Sequence, residues 1–150
     1  MSWDETADRW PGRNAAIAAF IPPGVSVIDL GAGRSSLEAM LPAGCRYTAA
    51  DLPEFDMDRG KWPDGHWDVA VMSGVLEYAR FPAAVLRHLH EIATVALVSY
   101  ATDMKRRDPR WNTLTADDVV RLADKAGFTA TAVGTWRTRG VRPQTIWRLA

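Results

Sequence analysis

The chain has 150 residues, room for one domain, and its 47% apolar and 24% charged composition is that of a globular protein with a sizeable core. Its 18 basic and 18 acidic side chains cancel, which argues against a general nucleic-acid coat or a strongly anionic membrane partner. The single Cys45 excludes an internal disulfide framework and a cysteine-based zinc site, no apolar run reaches membrane-spanning length, and Met1 to Glu5 carry no basic-then-apolar leader, so a cytoplasmic location is expected.

Without repeats or a low-complexity linker, residues 1–150 read as one domain, with 1–23 as a helical N-terminal segment. Trp10 to Phe20 reads as a short helix that Pro22-Pro23-Gly24 ends. Val25 to Leu30 is a β-branched strand running into Gly31-Ala32-Gly33, and a brief helix is expected over about Ser35 to Leu41, stopped by Pro42. Arg46 to Ala50 reads as a second strand ending at Asp51, and Leu52 to Gly65, rich in Pro, Asp and Gly, as loop.

Trp67 to Met72 is the next strand, leading into Ser73-Gly74. Pro82 suits a first helical turn, and Val85, Leu86, Leu89 and Ile92 follow at helical spacing. Thr94 to Tyr100 is a buried-type strand and Asp103 to Trp111 a charged loop. Thr115 suits an N-cap ahead of Asp117 and Asp118, and Gly127 ends that helix. Phe128 to Trp136 and Arg142 to Leu149 are strands joined too closely for a parallel crossover, so they form an antiparallel hairpin. The expected fold class is α/β and Rossmann-like: a mostly parallel twisted sheet with helices on both faces and this hairpin at the end.

The strongest motif is Val27 to Ser35, with Gly31 and Gly33 at a strand-to-helix turn. Such a turn lets backbone approach a ligand, and a helix following it offers free N–H groups. In a parallel sheet it lies at the ligand-binding carboxyl edge. Asp51 closes the next strand 20 residues after Gly31, where a carboxylate takes ribose hydroxyls. A nicotinamide dinucleotide site is the runner-up, but its fingerprint wants glycine where Ser36 stands.

Here the chain resembles the class I S-adenosylmethionine-dependent methyltransferases. The resemblance rests on Asp29-Leu30-Gly31-Ala32-Gly33, Asp51, Asp56-Met57 and the run Trp67 to Tyr78, and extends through Ala126-Gly127-Phe128 and the final hairpin. It implies S-adenosylmethionine as cofactor. Asp29, Gly31, Ala32 and Gly33 would hold its methionine part, Asp51 its ribose, and Asp56 and Met57 its adenine. Ser73 and Gly74, with the loop to Tyr78, would face the sulfonium and the substrate.

The chain departs from the family in having Ser35 for a third glycine and Tyr78 where His is common. Only four residues separate Asp51 from Asp56, where the family has a whole crossover. A parallel crossover needs about a dozen residues or more, so the third strand is expected to be reduced or absent. Arg46 to Ala50 would then be an edge, covered by the 52–65 loop or paired with a second copy in a homodimer.

Methyl transfer needs a base only when the acceptor must lose a proton. Glu77, Tyr78, Tyr100 and Asp103 stand at the right strand ends, and Tyr78 and Asp103 are the preferred candidates. His66, His88 and His90 lie away from that edge, and no metal site is expected. Residues 1–75 hold 11 acidic and 6 basic side chains and residues 76–150 hold 7 and 12. The acidic half suits a cationic cofactor; the basic half, with Lys105, Arg106, Arg107 and Arg110 in one loop, suits an anionic small-molecule or sugar acceptor. Trp111 and Trp136 are the tryptophans nearest such a site. Cofactor binding without turnover, as a partner subunit, is the alternative reading.

Overall fold

Strand-forming and helix-forming runs alternate along the chain, and the structure, a computed structural model, describes residues 11–102 and 112–150. The strands are β1 (Ser26–Leu30), β2 (Arg46–Ala50), β3 (Trp67–Ser73), β4 (Ala93–Tyr100), β5 (Ala130–Thr138) and β6 (Val141–Leu149). The helices are α1 (Pro11–Ala18), α2 (Pro82–Ile92) and α3 (Ala116–Ala126). One sheet holds all six strands in the order β2-β1-β3-β4-β6-β5. The first four run parallel, and β6 runs antiparallel to both β4 and β5.

Both faces of the sheet are covered, which is why its central strands read as near-continuous apolar runs. Val27, Val69, Val71, Leu97 and Ile146 pack under α1 through Ile17 and Ala18, and under Ile21 just after it. On the other face Ile28, Ala70, Met72, Ala96 and Val98 meet α2 and α3 through Val85, Leu86, Leu89, Val119 and Ala123. Pro82 stands at the start of α2 as expected. Thr115 caps α3 in a reciprocal box with Asp118, each side chain meeting the other's backbone N–H, and Gly127 closes the helix.

Between β2 and β3 there is no strand, so the family's third strand is absent and β2 is an edge. The 52–65 loop does not run along that edge. It folds under α2 instead: Phe55 is buried, Trp62 meets it edge-on at 5.0 Å and stacks on His88 at 5.1 Å, and Arg80 N–H donates to Asp58 Oδ1 at 2.7 Å. Burial of two aromatic rings outweighs anything the polar β2 edge offers this loop.

The helix expected over Ser35 to Leu41 is not formed. That stretch keeps only a 3₁₀ turn, Glu38–Met40. Ser35 holds a left-handed φ of 58°, and Pro42 follows closely, leaving too few residues to repay helix nucleation.

Candidate functional site

The carboxyl ends of β1, β2 and β3 converge on one turn. Gly31 N–H donates to the Ala50 carbonyl at 2.7 Å, which carries the β1–β2 ladder one step past the strand. Gly33 N–H then donates to Asp51 Oδ2 at 2.7 Å, and Leu52 N–H to Asp51 Oδ1 at 2.8 Å. Each Asp51 oxygen keeps acceptor capacity beyond these bonds. The N–H groups that a helix start would have aimed at a ligand are therefore not arranged that way; one of them orients Asp51.

Gly31 has φ 75°, and a Cβ placed there would lie 2.5 Å from Val75 Cγ2. The turn after β1 and the loop after β3 thus touch through the missing side chain. Asp29 lies just beneath, nearly buried, with Tyr47 OH donating to its Oδ2 at 2.9 Å. Burial pushes its carboxyl up to about 6; the Tyr47 bond opposes this, and the nearby Asp51 charge adds to it. Two carboxylates therefore flank the turn, a negative site suited to a cation.

Ser73 and Gly74 end β3. Gly74 N–H donates to Ser99 Oγ at 2.8 Å, and with φ 65° a Cβ on Gly74 would lie 2.2 Å from Arg13 Nη1. Arg13 Nη2 donates to the Ser73 carbonyl at 2.9 Å. Asn14 works as a bridge: its Oδ1 accepts from Ser73 Oγ at 2.9 Å while its Nδ2 donates to Ser36 Oγ at 2.7 Å. One amide on α1 so joins the β1 turn to the β3 exit. Arg13 and Asn14 were not singled out from sequence, because a polar pair on a short Ala-rich helix looks like solvent-facing surface. Both are buried.

The four candidate bases separate. Glu77 is buried, accepts from Ala101 N–H through Oε1 at 3.2 Å, and its own carbonyl accepts from Asn112 N–H at 2.8 Å. Burial pushes its carboxyl up to about 7, against Arg13 and the Ala101 bond. Tyr100 is fully buried; its hydroxyl donates to Asn112 Oδ1 and accepts from Leu114 N–H at 2.9 Å. Burial raises that phenol to about 12. Asn112, a third unanticipated residue, also donates to the Leu76 and Ala79 carbonyls at 2.8 and 2.9 Å. Glu77 and Tyr100 are thus members of the framework that ties β4 to the 76–79 turn.

Tyr78 is half-buried on that turn, close enough to Arg13 that a phenolate there would favour the guanidinium's charge. Trp136 lies under the Arg13 guanidinium at 6.0 Å. Asp103, Trp111 and the basic residues Lys105, Arg106, Arg107 and Arg110 lie outside the described residues.

Asp56 caps the turn Met57–Arg59, its Oδ1 accepting from Asp58 and Arg59 N–H at 3.2 Å each, and Met57 packs on the core. The Asp56 side chain is engaged within its own loop, and that of Met57 with the core. Among the described residues no group of His, Cys, Asp and Glu is placed to hold a metal, and no helix is long and apolar enough to cross a membrane.

A family model described as a methyltransferase domain matches residues 3–133. No curated protein sequence matches the chain. Among solved structures, the fold is similar to Burkholderia thailandensis 1,6-didemethyltoxoflavin-N1-methyltransferase with bound 1,6-didemethyltoxoflavin and S-adenosylhomocysteine, at 19% identity and TM-score 0.73, covering 98% of this chain and 79% of that one. It is also similar to magnesium protoporphyrin IX methyltransferase from Synechocystis PCC 6803 with bound S-adenosylhomocysteine, at 15% identity and TM-score 0.69, covering 99% and 88%. A third likeness is to the N-terminal domain of EvdMO1 in the presence of S-adenosylhomocysteine and D-fucose, at 14% identity and TM-score 0.63, covering 92% and 82%.

Proposed function

The chain belongs to the methyltransferase domain family, and on that premise we propose that it binds S-adenosylmethionine between the 31–35 turn, Asp51 and Ser73–Gly74, and transfers a methyl group to a small-molecule acceptor. The observation that carries this reading is the Gly33–Asp51 bond of 2.7 Å, which presents a carboxylate beside a backbone turn at the carboxyl edge.

The residues fit such a cofactor. Gly31 and Gly33 leave no side chain over the turn, and nothing lies within 4 Å of where a Gly33 Cβ would stand. Asp51 offers its remaining lone pairs to ribose hydroxyls, and Asp29 with Asp51 supplies negative potential for a cationic sulfonium and ammonium. When bound, the cofactor supplies a methyl group on positively charged sulfur, reactive enough to need no covalent help from the protein.

The chain's own part is alignment and dryness. Val75, seated on Gly31, closes the gap between the two turns. Asn14 and Arg13 fix the β3 exit. Tyr78 is our first candidate for holding the acceptor's proton, and Asp103 our second. Glu77 and Tyr100 leave that list because both are buried: the Tyr100 hydroxyl is spent on Asn112 and Leu114, while Glu77 holds Ala101 N–H through Oε1 and keeps Oε2 buried without a hydrogen-bond partner among the described residues. The basic surplus of residues 76–150 supports an anionic acceptor. Retirement of two of the four candidate bases also favours a second reading, cofactor binding without turnover.

A melting-temperature series with S-adenosylhomocysteine tests the first step. A ligand of the native state alone raises the midpoint by mass action, and NAD⁺ at the same concentration should not. No shift with a folded protein would sink the cofactor reading. Methyl-labelled S-adenosylmethionine with a panel of carboxylated, phosphorylated and sugar acceptors then separates transfer from binding.

A further inference from the structure

β2 forms one edge of the sheet, and the phase of its ladder can be read from its ends. Arg46 N–H donates to the Val25 carbonyl at 3.0 Å and the Ala50 carbonyl accepts from Gly31 N–H at 2.7 Å. The register runs from Ser26 opposite Arg46 to Leu30 opposite Ala50. Alternate residues of a parallel strand address the same neighbour. Arg46, Thr48 and Ala50 are therefore committed to β1, while the N–H and C=O of Tyr47 and Ala49 face outward. Among the described residues nothing pairs with those outward groups.

Sheet edges are usually guarded by proline, lysine, a bulge or a covering segment. Here Arg46 at one end is the strand's sole charge, no proline interrupts it, and its pairing with β1 is regular. Thr48 and Ala49 are exposed, and Leu52, 67% exposed, stands just beyond the end. The 52–65 loop that might have covered the edge is packed under α2.

The outward residues are symmetric about Thr48. With a second copy laid antiparallel and the two-fold axis at Thr48, Tyr47 faces Ala49 and Ala49 faces Tyr47. Both are then hydrogen-bonded pairs, and every outward donor meets an outward acceptor. Thr48 meets its own copy at the close non-hydrogen-bonded site, a favourable pair. Arg46 faces Ala50, so no like charges oppose, and the chain's zero net charge adds no long-range repulsion. Shifting the register by one residue would set outward groups against groups already used on β1.

We infer that the chain self-associates through this edge, as a two-fold dimer whose sheet is continuous across Thr48. Such an interface is isologous, one patch meeting itself. The strand is only 5 residues long, well short of a standard interface, so the dimer is weak and concentration-dependent.

Sedimentation of the full chain over a dilution series of roughly 10 µM to 1 mM should show monomer passing to dimer. Ala49→Pro removes one outward N–H and nothing from the β1 ladder, so it should weaken association at least tenfold while the melting temperature holds. Ala49→Lys on the same edge is the second variant if the proline impairs folding. Thr48→Cys combined with Cys45→Ser should form a disulfide-linked dimer under mild oxidant, since opposed non-hydrogen-bonded Cα atoms fall within disulfide reach. A monomer throughout, or undiminished dimer in both Ala49 variants, overturns the proposal. So do Tyr47 and Ala49 amides equally protected from exchange at every concentration, which would mean that another part of the same chain covers the edge.

Discussion

Gly33 donates its backbone N–H to Asp51 Oδ2 at 2.7 Å, and this bond joins the turn after β1 to the end of β2. It fixes the carboxylate before any ligand arrives, since Leu52 N–H holds the other oxygen at 2.8 Å. Such preorganisation lowers the ordering cost of binding.

Asp51→Ala should weaken S-adenosylhomocysteine binding by about 1–3 kcal/mol, the worth of charge-assisted hydrogen bonds, with the fold retained. Isothermal calorimetry measures it. Equal affinity in the variant would reduce Asp51 to a turn residue.

Gly31→Ala should destabilise the protein by about 2–5 kcal/mol, combining a left-handed backbone with a clash in a packed site. The 2.5 Å approach of Val75 Cγ2 is the steric part. In a Val75→Ala background the cost of Gly31→Ala should therefore fall, leaving the backbone part. Urea denaturation of the four proteins in this cycle tests it, and a strictly additive pair would refute the contact's role.

Much of this arrangement was legible in the sequence because its signals are local. Thr115 with Asp118, Pro82, Gly127 and the Val27–Gly33 run each announce an element through chemistry confined to a few residues. The missing third strand was legible too, since four residues between Asp51 and Asp56 forbid a crossover. The Ser35–Leu41 helix failed because backbone conformation at Ser35 outweighed propensity. Asn14, Arg13 and Asn112 were hidden for another reason: their partners Ser36, Ser73, Tyr100 and Leu76 are distant in sequence, and only the assembled sheet brings them together.

Asn14→Ala should weaken S-adenosylhomocysteine binding roughly three- to tenfold, the equivalent of one neutral hydrogen-bonded link. The bridge between Ser36 and Ser73 motivates this. Ser36→Ala breaks the same bridge at its milder end and should show a smaller loss. If both variants lose stability but bind with unchanged affinity, Asn14 serves the fold alone.

Glu77 makes stability depend on pH. Its carboxyl, ordinarily 4.5, is raised to about 7 in the folded chain by burial. Between these values the folded state binds more protons than the unfolded one, so this group's contribution falls as pH rises from about 4.5 to 7 and is level above. Glu77→Gln keeps an acceptor for Ala101 N–H and removes the titration. The variant should gain stability relative to the parent across that window, and a difference that stays constant with pH would contradict the assignment. Asp29, raised to about 6, adds a slope of the same sign that the Glu77 variant retains.

The central claim is that one cradle, built from the 31–35 turn, Asp51 and Ser73–Gly74, receives the cofactor. Backbone ¹H–¹⁵N spectra recorded during titration with S-adenosylhomocysteine test it most directly. The expected result is saturable shifts concentrated at Gly31, Gly33, Leu52 and Gly74, with α3 and the β5–β6 hairpin tip unmoved. Absence of shifts at saturating ligand, or shifts centred away from the carboxyl ends of β1, β2 and β3, would contradict it.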